Sequence, residues 1–355
     1  MKPVFILAAI LIFGLLVAIH ELGHFLAAKL CGVKVNEFSI GMGPALFSRQ
    51  RGETLYSLRL LPLGGYCAME GEDESSDDPR AFSSQKAWKR VIVLVAGAFM
   101  NFLIGILLIL LLYSQNKTFA GTKLAGFADG FPLAGEQGLM VGDRLVEING
   151  ERIYLAGDVS MFLSRAGGAP VDIVVERNGK QIELEDLPLT LKEYDVNGEK
   201  HMLYGIFFNN EQASLYVTLR NTWYQAINFV RLVRISLTDL LSGSAGIKDL
   251  SGPIGVVDAI AQVGSQSATS RIAVQNILYF GALLAVNLAA MNMLPLPALD
   301  GGRVFFVLVD GLWHLLFRRR INPKFEGYVH LAGLVLLMLL MLVVAYNDIV
   351  RIFTR

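Results

Sequence analysis

Three windows of the chain stay apolar for the roughly 20 residues that a helix needs to cross about 30 Å of hydrocarbon. They run Val4 to Leu30, Val91 to Tyr113 and Ile272 to Leu299. A fourth, Tyr328 to Tyr346, is shorter but carries no charge after His330. The first window holds Glu21 and two histidines in its second half and has no small-residue cleavage site behind it, so it reads as a retained span and not as a signal peptide. Between the first two windows, Thr54 to Leu60 alternates in the manner of a strand, after the turn-prone Arg51-Gly52-Glu53 and before Pro62-Leu63-Gly64-Gly65-Tyr66. A small hairpin sheet fits this pattern. Because it is apolar and follows a polar site, it suits either a cavity lining at membrane depth or a surface hairpin. The acidic run Glu70 to Asp78 behind it reads as a solvated loop.

The long segment between the second and third windows has a different pattern. Val141 to Glu151 reads as a Gly142-Asp143 turn, a short strand and an Asn149-Gly150 turn, and Val171 to Glu176 is a strand closed by Asn178-Gly179. A compact domain with several strands is expected over about residues 118 to 210. From Tyr216 to Leu241, apolar residues recur mostly at three- or four-residue spacing with Arg220, Arg231 and Arg234 between them. That predicts an amphipathic helix, lying at the outer interface or packed on the folded domain.

Composition agrees with a membrane protein. Of 355 residues, 54% are hydrophobic and 17% charged, which excludes disorder and an ordinary soluble fold. Lys plus Arg equals Asp plus Glu at 31 each, which removes the electrostatic basis for a nucleic-acid partner. Cys31 and Cys67 are too few for a disulfide framework, and neither sits where a zinc ligand is expected. Lys and Arg crowd the stretch after the first window (Lys29, Lys34, Arg49, Arg51, Arg59, Arg80) and the stretch after the third (Arg303, Arg318, Arg319, Arg320, Lys324). The positive-inside rule puts both on the cytoplasmic side, with the two termini and the long insertion outside.

The sharpest chemical signal is His20-Glu21-Leu22-Gly23-His24. On a helix, residues four apart share a face, so both imidazoles can bind one metal while Glu21 can deprotonate a water. Ionisable groups inside an apolar span are costly and usually mark function. A snorkelling cluster near a helix end is the bland alternative. A catalytic zinc normally takes three protein ligands. Asp300, the first charge after a long uncharged run and preceded by the helix breakers Pro295 and Pro297, can supply the third. Its alternative role is to cap the helix that follows. Asn101, Asn287 and Asn292 also lie in apolar windows, where bonding to a neighbouring helix is the default, with Asn292 the better functional candidate. His201, His314 and His330 have no partner at ligand spacing and read as ordinary.

With these residues in hand, nearly the whole chain resembles the site-2 protease family of intramembrane zinc metalloproteases, in its bacterial RseP/RasP-like branch. The resemblance rests on His20 to Phe25, on Phe38-Ser39-Ile40-Gly41-Met42-Gly43, on Pro62 to Tyr66, and on Asn292 to Gly302. Gly138 to Gly150 is similar to the core segment of a PDZ module, in one copy. The implied fold is a polytopic α-helical membrane protein with about four transmembrane helices, a membrane-associated β-hairpin sheet and an inserted extracytoplasmic PDZ domain of α+β type. Residues 1 to 113 and 251 to 355 would form the two halves of the protease core, 114 to 210 the PDZ domain, and 211 to 250 the amphipathic linker. The family implies one zinc on His20, His24 and Asp300, Glu21 as base, and a substrate strand held by Gly64, Gly65, Tyr66 and Asn292, with Pro295 and Pro297 beside it. It further implies a bacterial inner-membrane enzyme whose partners are the lipid bilayer and single-span membrane proteins already clipped by another protease, with the PDZ module as a size gate. Cys67 and Ala68 stand where relatives often carry Val-Lys, and Arg303 where many carry His. Two other classes use the same features: a membrane zinc carrier, which needs more polar residues across the other spans, and a PDZ-bearing adaptor with a structural metal, which needs a fourth ligand.

Overall fold

The computed structural model describes residues 2–72, 76–196, 198–246, 250, 252–267, 269–318 and 323–354. Its elements divide into two compact units, one of residues 1–112 with 226–355 and one of residues 113–225.

The first unit holds four helices long and apolar enough to cross a membrane: α1 (Lys2–Cys31), α2 (Ala87–Tyr113, whose last residue enters the other unit), α6 (Ser270–Asn292) and α8 (Pro323–Thr354). All four forecast windows are present, three of them extended at one or both ends. The third differs. Its helix stops at Asn292 instead of Leu299, because Pro295 and Pro297 cannot continue a helical ladder. The chain turns through Leu296 N–H to Leu294 O (2.7 Å) and Leu299 N–H to Leu296 O (3.2 Å) before α7 (Asp300–Phe317) begins. A shorter apolar helix, α5 (Pro253–Gln266), packs against α1, α6 and α8.

The hairpin is larger than the sequence pattern suggests. β1 (Val35–Arg51) and β2 (Thr54–Met69) pair antiparallel, and each bends, so that Glu37–Ile40 lies beside Leu55–Leu58 as well as Gly65–Ala68. Gly41, Gly43 and Gly64, all at positive φ, are bend points that let the strands continue past residues which otherwise read as strand ends. The oxygen of Pro62 lies 2.1 Å from where a Cβ on Gly14 would stand, so β2 runs against the middle of α1. A core of Ala28, Val33, Val35, Phe38, Val93 and Leu94 joins α1, the hairpin and α2. The acidic run is only partly solvated loop. Residues 73–75 lie outside the described residues, while Glu70 accepts hydrogen bonds from Lys34, Asn36 and Ser76, and Glu72 pairs with Arg303. Of the basic cluster at 318–320, Arg319 and Arg320 also lie outside the described residues.

The second unit is a sheet in the order β10 (Ile206–Gln212), β3 (Thr118–Phe127), β4 (Arg144–Ile148), β6 (Val171–Arg177), β7 (Lys180–Leu187). The short β5 (Glu151–Arg152) pairs with β4, a hairpin of β8 (Lys192–Val196) and β9 (Glu199–Leu203) stands apart from the sheet, and α3 (Ala156–Arg165) closes the core. Leu124, Leu145, Ile148, Val159, Ile173 and Val175 are fully buried there. Both forecast Asn-Gly turns form, with positive φ at Asn149, Gly150, Asn178 and Gly179. The helix forecast at 216–241 is α4 (Leu215–Ser242), which straddles the division between units. Up to Gln225 it buries the polar Thr218, Asn221, Thr222 and Gln225 and exposes Leu215, Tyr216 and Trp223, while from Ala226 onward it buries Ala226, Phe229, Val233 and Ile235.

Candidate metal centre

The helical ladder of α1 sets His20 and His24 on one face, and both are buried. Between them Gly23 lets α2 approach until the Ala96 oxygen stands 2.4 Å from the position of a Cβ. That contact brings the Val93 oxygen to 2.8 Å from His24 Nδ1, which donates to it and leaves the Nε2 lone pair facing the cavity. Gly97, one turn along α2, faces the imidazoles themselves. A Cβ there would lie 2.4 Å from His24 Nε2 and 2.7 Å from His20 Cε1.

Asp300 comes from the first turn of α7. Gly301 and Gly302 let the preceding turn fold back on the helix, since a Cβ on either would meet the oxygens of Leu294 or Leu296 at 2.4 and 2.2 Å. The Asp300 Oδ2 lies 3.1 Å from His20 Nε2 and 3.3 Å from His24 Nε2, and the two Nε2 atoms are 3.1 Å apart. A tetrahedral zinc with arms of about 2.0–2.1 Å separates its ligand atoms by about 3.3–3.4 Å. Oδ2 is buried, and it receives no hydrogen bond from the described residues. Two imidazole nitrogens and a carboxylate oxygen converging at this spacing, the carboxylate oxygen with no hydrogen bond of its own, fit a divalent cation. Cys31 and Cys67 are free thiols outside this group, and Cys67 lines the same cavity.

The remaining predicted residues surround this point unequally. Glu21 faces the same cavity, which has a volume of about 330 Å³, and its Cγ is 3.6 Å from where a Gly65 Cβ would stand. A β2 edge thus passes directly beside the acid. Gly64, at positive φ, packs on Met42. Tyr66 lines the cavity, while its hydroxyl is held by Arg59 at 2.5 Å. The Asn292 amide, at the end of α6, is 3.4 Å from His20 Nε2. Pro297 packs against α8 at Gly333, and Pro295 is exposed. Asn101 and Asn287 are not brought to the centre. Each has a buried side-chain oxygen without a hydrogen bond in the described structure.

Sequence reasoning missed Val93, Gly97, Glu72 and His330. The run Ala96-Gly97-Ala98 inside an apolar window was the available signal, because small residues mark close helix approach in membranes. His330, read as ordinary, accepts the Ala298 N–H at 3.0 Å.

The family model for peptidase family M50 matches residues 8–340. This chain belongs to that family. The enzyme is therefore a metallopeptidase, and it is similar along its length to bacterial relatives. It is 35% identical over 350 residues to a protein of Clostridium perfringens named as a zinc metalloprotease, covering 98% of each chain. A similarly named protein of Fusobacterium nucleatum is 34% identical over 361 residues, covering 98% of this chain and 99% of that one. The regulator of sigma-W protease RasP of Bacillus subtilis is 27% identical over 429 aligned positions, covering 98% and 99%.

Proposed function

We propose that this enzyme hydrolyses peptide bonds within the transmembrane segments of single-span membrane proteins, as the second cut of regulated intramembrane proteolysis, with zinc on His20, His24 and Asp300. The observation that carries the reading is the convergence of His20 Nε2, His24 Nε2 and Asp300 Oδ2 beside Glu21, with both histidines and Glu21 on α1, whose apolar window spans Val4–Cys31. A metal-binding adaptor or carrier is not favoured in a chain that belongs to a peptidase family over almost its whole length.

Zinc, when bound, supplies a Lewis acid and a water of lowered pKa. The chain does the rest. With zinc held by His20, His24 and Asp300, Glu21 would be placed to take a proton from the attacking water and hand it to the leaving amine. A helical substrate hides its amides, so it must unwind into an extended strand. The Gly64-Gly65-Tyr66 edge of β2 offers backbone pairing to such a strand beside Glu21, and Asn292, Pro295 and Pro297 are read as further contacts for it. The contact of Pro62 with Gly14, in the middle of the α1 window, supports a hairpin that works at membrane depth. The exposed Ile40, Met42, Leu46, Phe47, Leu60 and Leu61 suit lipid better than water.

The unit of residues 113–225, with its Gly142-Asp143 and Asn149-Gly150 turns, is read as the PDZ domain of an RseP/RasP-like enzyme, gating substrates whose outer part has been removed. The exposed apolar face of α4 is read as resting on the outer leaflet. Four spans return the chain to its starting side, and the basic connections place both termini and the PDZ unit outside a bacterial inner membrane.

The test uses purified protein in lipid with a single-span peptide, comparing the parent with Glu21→Gln while zinc is counted in both. Cleavage by the parent alone, with about one zinc on each, supports the reading. Equal cleavage by both removes Glu21 as base, and no cleavage of any single-span substrate by the zinc-loaded parent removes the intramembrane reading.

A further inference from the structure

α8 is the most exposed of the four long apolar helices, with 6% of its apolar window buried, so polar side chains on it need a reason. His330 has one. Its side chain is 16% exposed, its ring lies 5.3 Å from that of Phe306 on α7, and its Nδ1 accepts the N–H of Ala298 at 3.0 Å. Glu326, one turn earlier on α8, stands 4.0 Å from Nε2, on the side where a hydrogen suits it and leaves Nδ1 free to accept. Ala298 is a non-glycine residue in left-handed backbone, at φ 73, two residues before Asp300. Such a conformation costs on the order of 1 kcal/mol or more and persists only where its surroundings hold it. The rest of the hold is steric. Gly333, three residues after His330 and on the same face, leaves room for Pro297, whose Cβ would sit 2.3 Å from an added Cβ.

We infer that His330 is a positioning residue of the metal centre. From a separate helix it pins the left-handed Ala298 turn and thereby fixes where Asp300 presents Oδ2 to the two imidazoles. The inference rests on the reading of Asp300 as a ligand, and it adds a role for α8 that the ligand set does not contain. His330 touches neither substrate nor metal, so its loss should act on metal retention and kcat and leave KM unchanged. The requirement comes from one acceptor atom and one strained residue, so two repairs exist. Asn at 330 puts a carbonyl oxygen near the position of Nδ1, and Gly at 298 adopts positive φ without strain.

The experiment measures zinc release to a chelator, together with kcat and KM on a single-span peptide, in the full-length enzyme in lipid. Loss of an outer-shell partner typically weakens metal affinity by about 10–100-fold, so His330→Phe should release zinc at least about tenfold faster and lose kcat in proportion, with KM within about twofold. His330→Asn should stay near the parent, His330→Gln should behave like His330→Phe, and Ala298→Gly should restore most zinc retention to His330→Phe. If His330→Phe keeps zinc and kcat, or if Asn and Gln are equally impaired and Ala298→Gly rescues neither, the inference falls. Asp300→Asn separates the two levels. Zinc lost there with His330→Phe unaffected overturns only the positioning role, and zinc retained in Asp300→Asn overturns the ligand assignment and the inference with it.

Discussion

Two aspartates, one in each unit, are opposites in how their charge is met. Asp143 of the second unit is 1% exposed and fully answered: Arg177 donates to Oδ1 at 2.8 Å and to Oδ2 at 2.7 Å, and the Met140 N–H donates to Oδ2 at 2.8 Å. Arg177 also donates to the oxygens of Glu136 and Gly138, so the pair ties a loop to the end of β6. Asp300 is 19% exposed, yet its Oδ2 faces two imidazole nitrogens and no donor. The deeper carboxylate ties the fold together, and the shallower one is the third ligand in the proposed metal centre. What separates them is satisfaction: protein donors answer both oxygens of Asp143 and leave Asp300 Oδ2 without one.

The largest expected effect sharpens this contrast without touching either acid. In Gly97→Ala the new methyl would lie within 3 Å of both imidazoles, held there by the backbone contact between α1 and α2. Zinc per chain should fall to a small fraction of the parent and cleavage by at least about 100-fold, since a misplacement of this order commonly costs that much. Thermal unfolding of the second unit should not change. Normal zinc and activity in Gly97→Ala would show that the imidazoles do not need the close approach of α2.

Asp143→Asn probes the other side. Breaking a buried ion pair by removing one partner typically costs about 3–5 kcal/mol, so the second unit should become susceptible to limited proteolysis near residues 136–143 at temperatures where the parent resists. Zinc content should stay at the parent value. If Asp143→Asn loses zinc while its fold resists protease, the division between a structural and a chemical carboxylate is wrong.

How much of this was legible in the sequence follows the same division. The His20-Glu21-His24 spacing, the apolar windows and the Asn-Gly turns are local patterns that appear where the sequence put them, except that the third window ends at Asn292 instead of Leu299. Asp300 was accessible as the first charge after the Pro295 and Pro297 break. Val93, Gly97, Glu72 and His330 were not, because their roles exist only once helices distant in sequence meet: His24 and Val93 are 69 residues apart, and His330 and Ala298 are 32 apart. The length of the hairpin was hidden for a different reason. Glycine and proline read as strand ends, and here Gly41, Gly43 and Gly64 act as bends inside continuous strands.

Glu72 and Arg303 give a smaller effect, intermediate between the two aspartates. The pair joins the exit of the hairpin to α7 one turn beyond Asp300 and lines the same cavity, with side chains 15% and 30% exposed. The pair is mostly buried, so Arg303→Glu should lower the melting temperature measurably. Its second expected signature is functional: kcat/KM reduced by about tenfold, or roughly 1.4 kcal/mol, as like charges push the hairpin edge from the metal helix. Glu72→Arg combined with Arg303→Glu should recover most of the loss. A double reversal no better than Arg303→Glu alone would mean that the two side chains act separately.

The smallest effect concerns a carboxylate that is answered at the surface. Glu70, at the end of β2, accepts from Lys34 at 3.2 Å, Asn36 at 2.9 Å and Ser76 at 2.6 Å. The hydrogen bonds from Ser76, Asn36 and Lys34, in that order, hold its carboxyl down to about 2 from an ordinary 4.5. A depressed folded value means that the unfolded chain binds the proton more readily, so the stabilisation is complete above about pH 4.5 and drains away as pH falls toward about 2. Glu70→Gln removes that linkage. The parent should therefore lose melting temperature more steeply than Glu70→Gln between pH 5 and about pH 2, and the two curves should run parallel above pH 5. Parallel curves across the whole range would show that the clasp closing the hairpin on Lys34 contributes nothing to folding, and that among these carboxylates only the buried ones matter.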